Sequence, residues 1–340
     1  MAHLSTLVLG AVVLLVALTL LFSVVTLQNV QIKLNDNKLS PKIRYSKQRV
    51  AFAVTVTKDG KYMDGAIVLK HSIDMQDSLW DVSFVAIVHP NVTTTRSALE
   101  KIGWTIREFT VPIKSSEIHG KELRETIDKT GCCGAAELLK LRAYQLTEFD
   151  RVVLLDMDTL LLKNLDELLE SDKEAQFTYD HAMDSPGSSA PPMQGGFMII
   201  RPSQAAYKRL VDVVREGDFR PGTGWGGSRI GWCWGGQTIQ GLISYYYNLV
   251  DRDNKVILDN CVHDAMVSTK NCRDTDIKDI YSIHYTVCQK PWDCRPSDKP
   301  LCVKMVAEWW KVRQDYEEIN GFARSNGPCK RSREYSQVPY

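Results

Sequence analysis

RVVLLDMDTLLLKNLDELLE, residues 151–170, is the most informative stretch of the sequence. Its first five residues include four Val and Leu residues, a pattern that predicts a buried strand. Asp156 and Asp158 follow, and because residues i and i+2 of an extended chain point to the same side, both carboxylates can face one point. That point lies at the carboxyl end of the strand, where open α/β sheets bind their ligands. Asn164–Leu169 then predicts a helix.

The Asp156–Asp158 pair has three competing interpretations. Two solvated acids at a strand end need no ligand. A phosphohydrolase of the haloacid-dehalogenase type also carries an apolar strand followed by Asp-x-Asp-x-Thr, which Thr159 completes here. In the third interpretation, the two hard oxygen ligands hold Mg²⁺ or Mn²⁺, and the ion binds the diphosphate of a nucleotide sugar. The rest of the chain has to discriminate between them.

Length and charge limit the class of protein. With 340 residues and 44% hydrophobic composition, the chain can bury one sizeable core. Its 42 basic and 41 acidic residues give a net charge of +1, so the composition implies no nucleic acid or other polyanion as partner.

The amino terminus predicts a membrane anchor over residues 1–32. Leu4–Ile32 contains no charged residue, and Leu7–Leu27 is almost wholly apolar, which is long enough to span a bilayer as a helix. A cleaved signal peptide is the alternative, but its apolar core is usually shorter. The short basic stem at 33–48 follows the span, and the positive-inside rule alone would keep the body of the protein cytosolic.

Cysteine usage favours an oxidising compartment instead. The chain has nine cysteines, an odd number that leaves at least one thiol free. Six of them lie beyond residue 260: Cys261, Cys272, Cys288, Cys294, Cys302 and Cys329. A zinc cluster around Cys261 and His263 is conceivable, but without any Cys-x-x-Cys pair we favour disulfides or buried thiols.

The order of predicted elements indicates a parallel α/β sheet. Strands alternate with helices over the first third of the domain, which is typical of such sheets. The predicted elements are strand Val50–Thr57, helix Ala66–Ile73, strand Val82–Val88, helix Ser97–Ile102, strand Thr105–Phe109, helix Ala135–Leu146, strand Phe197–Ile200 and a helix capped by Ser203. A loop rich in Ser, Pro and Gly is predicted at 184–192, and a loop rich in Gly and Trp at 222–236. We expect one domain at 49–320 and a polar tail at 321–340.

An ordered set of motifs extends along this domain. The set comprises Thr55-Val-Thr57 with Tyr62, Lys140-Leu-Arg before the acid pair, Gly195-Gly196 before a strand, Gly236-Gln237, and His284-Tyr with Lys290-Pro-Trp. From about Arg49 to Glu318 the chain therefore resembles the glycogenin-like and galactinol-synthase-like members of glycosyltransferase family 8. The resemblance implies an α/β fold: a GT-A type single domain with a mostly parallel, Rossmann-like nucleotide-binding sheet, here preceded by one N-terminal transmembrane helix.

The resemblance also assigns binding roles. It implies that Asp156, Asp158 and His284 ligate Mn²⁺ (or Mg²⁺), whereas a lone His is otherwise an ordinary hydrogen-bonded core residue. Lys290 would offer its charge to a phosphate oxygen. The implied donor-binding residues are Thr55, Thr57, Tyr62, Lys140, Asp156, Asp158, Gly195, Gly196 and Lys290. Lys140 could instead be a solvated helix charge, and Tyr62 could equally belong to the core.

Departures from the family pattern bear on the mechanism. Gly236 stands where members carry the acid of an Asp-Gln pair, and Pro191 stands where glycogenin carries an Asp. The catalytic candidates are Gln237, beneath the sugar, and Asp184, which with Asp180 lies in a loop that could approach. No carboxylate is an obvious nucleophile, so retention would proceed through a short-lived ion pair with the departing phosphate as base.

The sequence thus predicts a retaining, metal-dependent transferase that moves a hexose or pentose from a UDP-sugar to a glycan, lipid or protein. We expect it in the Golgi or another secretory compartment, anchored by its N-terminal helix with a luminal catalytic domain, and a homodimer is left open. One alternative is a membrane-tethered, non-catalytic carbohydrate-binding protein that stacks Trp225, Trp232 and Trp234 on sugars. The phosphohydrolase alternative lacks the downstream Gly-Asp-x-x-x-Asp acid pair and leaves the segment from His284 to Trp292 unexplained.

Overall fold

The structure is a computed structural model that describes residues 47–184, 186–233, 235–329 and 335–340. The predicted membrane anchor at 1–32 lies outside the described residues, as does the predicted stem at 33–48 except for its last two positions. Within the described ranges, no helix has the length and apolar character needed to cross a bilayer.

A seven-stranded sheet forms the centre of the domain. Its strand order is β10-β6-β7-β4-β1-β2-β3. Only β7 runs antiparallel to its neighbours, and every other pair in this sheet is parallel. The strands of the chain are β1 Arg49–Val56, β2 Asp81–Val88, β3 Thr105–Glu108, β4 Arg151–Leu155, β5 Thr159–Leu161, β6 Ala175–Tyr179, β7 Met193–Ile200, β8 Phe219–Arg220, β9 Gly224–Trp225, β10 Lys255–Leu258 and β11 Ser282–His284. The predicted mostly parallel α/β sheet is confirmed.

The helices lie between these strands. They are α1 Met63–Asp74, α2 Thr94–Lys101, α3 Lys121–Thr126, α4 Asp166–Leu169, α5 Gln204–Glu216, α6 Ile239–Tyr245 and α7 Pro300–Ile319. A π-helical turn, Tyr246–Val250, continues α6. The predicted helix at 135–146 is a run of 3₁₀ turns, Gly134–Gln145. Shorter 3₁₀ turns are Ser115–Glu117, Ile127–Lys129, His181–Met183, Arg252–Asn254, Ile277–Asp279 and Pro291–Asp293.

Burial explains why β4 is apolar from Val152 to Leu155. All five residues of β4 and all eight of β7 are buried. Val152 and Leu154 of β4 belong to the core on one face of the sheet, and Val153 and Leu155 belong to the core on the other. A strand covered on both faces carries a nearly continuous run of apolar residues, which is the pattern that identified β4 in the sequence.

The carboxyl-terminal residues pack on the domain. The Tyr335 hydroxyl donates to a carboxylate oxygen of Asp64, and the Val338 amide donates to the other oxygen at 3.1 Å. Val338 itself is 1% exposed. The described part of the segment that composition predicted as a polar tail is therefore integrated into the fold, because these contacts bury it against α1.

Three disulfides connect the late cysteines, as Cys261–Cys272, Cys288–Cys302 and Cys294–Cys329. The disulfide interpretation is confirmed, and Cys261 and Cys272 bind each other rather than a zinc ion with His263. The remaining thiols of Cys132, Cys133 and Cys233 are free.

Candidate metal and donor site

The two acids of the central motif lie at the carboxyl end of β4. Asp156 follows the strand directly, but Asp158 lies in a tight turn between β4 and β5 rather than on extended backbone. Thr159 closes this turn, because its amide and its hydroxyl both donate to the Asp156 carbonyl, at 3.0 and 2.8 Å. The two carboxylates are therefore brought together by a turn, and not by the side-chain alternation of an extended strand that the sequence predicted.

His284 reaches this turn through strand pairing. β11 runs antiparallel to β5 with His284 opposite Thr159, and the Tyr285 amide donates to the Asp158 carbonyl at 2.8 Å. The imidazole Nε2 lies 3.8 Å from Asp156 Oδ2 and 3.6 Å from Asp158 Oδ1. One ligand atom from each of the three residues lies within 4.8 Å of the others. The structure therefore brings the predicted metal trio together, although 128 residues separate Asp156 from His284 in the sequence.

The surroundings fit a small divalent cation. Gly196 on β7 faces the trio, and a Cβ at this position would lie 2.5 Å from His284 Cε1 and 2.7 Å from Asp156 Oδ2. Glycine therefore leaves the space that the ligands converge on. Two carboxylates and one imidazole form a donor set suited to Mn²⁺, and carboxylates with water suit Mg²⁺.

The electrostatics of the trio favour positive charge. Burial disfavours the imidazolium, but the carboxylates of Asp158 and Asp264 outweigh burial and raise the pKa of His284 to about 10. Burial likewise disfavours the carboxylate of Asp158, yet His284 and Lys290 together lower its pKa well below the usual range. The carboxylate of Asp158 is thus ionised at neutral pH, and its negative charge attracts a cation.

Two lysines flank the acid pair. The buried Lys140 ammonium lies 2.7 Å from Asp156 Oδ1 and donates to the Gly195 carbonyl at 2.9 Å. It is not the solvated helix charge of the alternative interpretation. The Lys290 ammonium forms an ion pair with Asp158 and donates to the Tyr285 carbonyl at 2.8 Å. Both lysines therefore lie beside the acid pair, and their contacts with a diphosphate stay a prediction.

Asp264 belongs to the site, although no motif or periodicity in the sequence pointed to it. Its Oδ1 lies 3.3 Å from His284 Nδ1, and its Oδ2 accepts from the Thr178 hydroxyl at 3.1 Å. The carboxylate is fully buried. Backbone pairing of Ala265 with Ile283 places it behind the imidazole. A carboxylate in this position fixes the ring orientation and tautomer of a metal-binding His.

Asp180 extends the buried polar group toward β7. Its Oδ2 accepts from the Gln194 amide at 3.3 Å, and Gln194 Oε1 accepts from the Gly196 amide at 3.1 Å. Burial raises the pKa of Asp180. Asp184, by contrast, is exposed.

Gln237 is half-buried and lies two residues before α6. The first residue of this helix packs against Gly195, because a Cβ at Gly195 would lie 2.8 Å from Ile239 Cγ2. Within the described ranges, no hydrogen bond connects Gln237 or Asp184 to the metal trio. Their catalytic roles stay predictions.

The predicted nucleoside contacts lie beside the trio. Thr55 is the second-to-last residue of β1 and lies half-buried next to Ile87 of β2, and Thr57 follows the strand. The Tyr62 ring is 42% exposed and packs edge-on against Trp292, with ring centroids 5.9 Å apart. Burial and the negative charge of Asp158 raise the pKa of Tyr62 to about 12, which is consistent with a location close to the acids. Tyr62 therefore presents an accessible ring next to the site.

The family assignment rests on a sequence profile. The profile described as Glycosyl transferase family 8 matches residues 53–195, a range that contains β1, the Lys140 segment and the acid pair. Glycogenin-1 of Oryctolagus cuniculus is 30% identical over 171 residues, which cover 50% of this chain and 47% of that protein. Residues 53–195 of the chain belong to glycosyltransferase family 8. The predicted relationship to glycogenin-like members is confirmed.

Longer matches come from plant relatives in the same family. The putative UDP-glucuronate:xylan alpha-glucuronosyltransferase 4 of Arabidopsis thaliana is 24% identical over 291 residues, covering 82% of this chain and 45% of that protein. Inositol phosphorylceramide glucuronosyltransferase 1 of the same plant is 24% identical over 295 residues, covering 79% and 47%. The chain thus spans about half the length of the curated relatives it matches.

Among solved structures, the apo form of the glycosyltransferase GlyE in Streptococcus pneumoniae TIGR4 is similar to this chain. The match covers 83% of this chain and 66% of the GlyE chain, with 12% sequence identity and a TM-score of 0.48.

Proposed function

We propose that this family 8 protein transfers a sugar, with retention, from a UDP-sugar to a glycan, lipid or protein acceptor and depends on Mn²⁺ or Mg²⁺. The observation that supports the proposal is the convergence of Asp156, Asp158 and His284, with Lys140 and Lys290 beside them. Neither the phosphohydrolase nor a solvated strand end requires a distant imidazole and two lysines at the acid pair. In this proposal the sheet is of the GT-A type, with the donor at its carboxyl edge.

The chain's own residues account for most steps of donor activation. When bound, the divalent ion supplies Lewis-acid stabilisation of the diphosphate leaving group. Lys290 adds a mobile positive charge from a half-buried position, where a charge-assisted hydrogen bond to a phosphate oxygen is strong. Lys140 holds Asp156 from within the protein, and Asp264 holds His284. Both therefore keep the ligands in place before the donor arrives.

Retention follows from what lies beneath the sugar. We assign Gln237 to the face opposite the leaving group and Asp184 to the nearby loop. Asp180 is hydrogen-bonded and buried, and burial keeps its pKa raised, so it is a poor nucleophile in this arrangement. The acceptor hydroxyl would then attack the face that the diphosphate leaves and pass its proton to the departing phosphate oxygen.

Glucuronic acid is the donor sugar to test first. Three relatives match most of the length of this chain. Two are named as putative UDP-glucuronate:xylan alpha-glucuronosyltransferases, and one is named as an inositol phosphorylceramide glucuronosyltransferase. These names support testing xylan and inositol phosphorylceramide as acceptors before a protein.

We place the protein in the secretory pathway, in the Golgi or a similar compartment, with residues 1–32 as its anchor and the catalytic domain in the lumen. Three disulfides within the described residues support an oxidising environment, in which such bonds persist. A homodimer remains open in this proposal.

The test uses the purified protein with Mn²⁺ and a panel of UDP-glucuronate, UDP-glucose, UDP-galactose and UDP-xylose. We expect release of UDP from one donor, lost on chelation and lost in Asp158→Asn with an unchanged melting temperature. Asp274→Asn, which changes an exposed carboxylate away from the site, should retain full activity. Full activity in Asp158→Asn would refute the metal assignment. Glycan binding without consumption of any UDP-sugar would instead favour the non-catalytic carbohydrate-binding protein.

A further inference from the structure

A second cluster of metal-ligating side chains lies outside the acid trio. It consists of Cys132, Cys133 and Glu137, called the dithiol cluster below. The two sulfur atoms lie 2.7 Å apart, and Cys132 Sγ lies 2.7 Å from Glu137 Oε1. One ligand atom from each residue lies within 4.8 Å of the other two. Neither cysteine is in a disulfide, and Cys132 is exposed, so the cluster is reachable from solvent.

The ligand chemistry of this cluster is opposite to that of the acid trio. Two thiols and one carboxylate make a soft donor set that selects Zn²⁺ or Cd²⁺ over Mg²⁺ or Mn²⁺. A hydrogen bond from Cys132 lowers the pKa of Cys133 to about 6, although burial opposes this shift, so Cys133 is a thiolate at neutral pH. A thiolate is the form that binds metal.

The dithiol cluster adjoins the proposed donor site on two sides. Thr57, a predicted nucleoside contact, hydrogen-bonds the Cys133 sulfur through its side chain. Glu137 Oε2 lies 4.0 Å from the Lys140 ammonium, which in turn contacts Asp156.

The loop that carries the cluster also approaches the catalytic candidate. A Cβ at Gly131 would lie 3.3 Å from Gly235 Cα, two residues before Gln237. A change at the dithiol cluster therefore acts on residues at both ends of the proposed site.

We propose that Cys132, Cys133 and Glu137 form a second cation site, which binds a thiophilic divalent ion such as Zn²⁺ and inhibits the enzyme when filled. Binding forms two metal–sulfur bonds and one metal–oxygen bond, releases the Cys132 thiol proton to solvent and leaves a fourth position for water. It withdraws Cys133 from Thr57 and Glu137 from Lys140, so the donor wall and the position of Asp156 change. The binding site stands by itself, whereas its inhibitory effect rests on the proposed function.

The binding arm of the test uses Cd²⁺ as the probe of the full-length protein. We expect one equivalent of Cd²⁺ per chain, with the ultraviolet charge-transfer absorbance of a cadmium thiolate. Cys132→Ser and Cys133→Ser should each lose most of this absorbance, and Glu137→Gln should weaken binding. The matched control is Cys233→Ser, which removes the third free thiol and should change nothing. Undiminished absorbance in the double variant Cys132→Ser/Cys133→Ser, or a native thiol count of one that shows the pair to be oxidised, would overturn the site.

The activity arm adds Zn²⁺ to the Mn²⁺-loaded protein and follows UDP release. Wild-type protein should be inhibited, whereas the double cysteine variant, compared with its own rate without Zn²⁺, should resist inhibition. Equal inhibition of both proteins would assign the effect to exchange at the acid trio and would overturn the inhibitory role. If no UDP-sugar is consumed by wild-type protein, the proposed function fails, while the cadmium measurement still decides whether the site exists.

Discussion

His284 Nδ1 lies 3.3 Å from Asp264 Oδ1, while Nε2 of the same ring faces Asp156 and Asp158. The buried carboxylate and the acid pair therefore contact the two ring nitrogens of one imidazole. Thr178 fixes the second oxygen of Asp264, so the carboxylate cannot rotate freely. The arrangement presents Nε2 as the ligand atom before any cation binds.

Asp264→Asn should weaken cation binding although Asp264 is not a ligand. The amide can no longer orient the imidazole and raise its basicity as the carboxylate does, and outer-shell changes of this kind cost roughly 10- to 100-fold in metal affinity. Titration of Mn²⁺ by electron paramagnetic resonance gives the dissociation constant directly. Asp253→Asn, on an exposed turn, is the control. An unchanged dissociation constant in Asp264→Asn would show that the contact has no positioning role.

Gly196→Ala should remove cation binding with little loss of fold. The added methyl group would lie 2.5 Å from His284 Cε1 and 2.7 Å from Asp156 Oδ2, so the two ligands must separate. We expect a Mn²⁺ affinity at least about 10-fold lower, a loss comparable to other disturbances of ligand positioning. Gly60→Ala is the matched control, since a Cβ there meets nothing within 4 Å. If both variants bind Mn²⁺ equally, the space beside Gly196 is not the cation position.

Lys290→Ala should lower kcat more than it raises KM for the donor. Its charge would stabilise the diphosphate most strongly as the sugar leaves, and removing one such stabilising group typically costs about 10²-fold in rate. Steady-state kinetics with the preferred UDP-sugar separate the two constants. Lys304→Ala removes an exposed lysine of α7 and serves as the control. A rise in KM alone would make Lys290 a ground-state donor contact.

The sequence predicted the elements whose own composition determines their structure. Strand β4 is apolar because both faces of the sheet are covered, and that pattern is visible without any partner. Ser203 was predicted as a helix cap, and its hydroxyl accepts from the Ala206 amide at 3.3 Å. The family resemblance predicted that His284 joins the acid pair. Residue patterns alone would have predicted an ordinary hydrogen-bonded core histidine.

The burial of Lys140 and the position of Asp264 could not be predicted, because the local sequence does not determine them. The segment Gly134–Gln145 forms 3₁₀ turns, in which residues i and i+3 eclipse each other, so Lys140 shares a face with Glu137 and is buried. The α-helix predicted over Ala135–Leu146 left open that Lys140 is a solvated helix charge. Asp264 depends on the bridge between Ala265 and Ile283, a pairing across 18 residues that no periodicity reveals.

The Cys288–Cys302 disulfide should stabilise the segment that carries Lys290. It closes a loop of about 15 residues, for which chain entropy predicts about 3 kcal/mol of stabilisation. The double variant Cys288→Ala/Cys302→Ala should lose that amount of unfolding free energy in urea titration and should also lower kcat. Cys233→Ala, which removes a free thiol, should behave as wild type. Wild-type stability in the double variant would show that the loop is held by packing alone.

Cys133 should react with iodoacetamide at a pH where the other free thiols are inert. The hydrogen bond from Cys132 lowers the pKa of Cys133 to about 6, whereas burial raises the pKa of Cys233 to about 11. Since the thiolate is the nucleophile, the labelling rate of Cys133 should fall as pH falls through about 6. Mass spectrometry of labelled peptides across a pH series gives each midpoint separately. In Cys132→Ala the midpoint of Cys133 should move upward, because the hydrogen bond is gone; an unchanged midpoint would contradict the coupling between the two thiols.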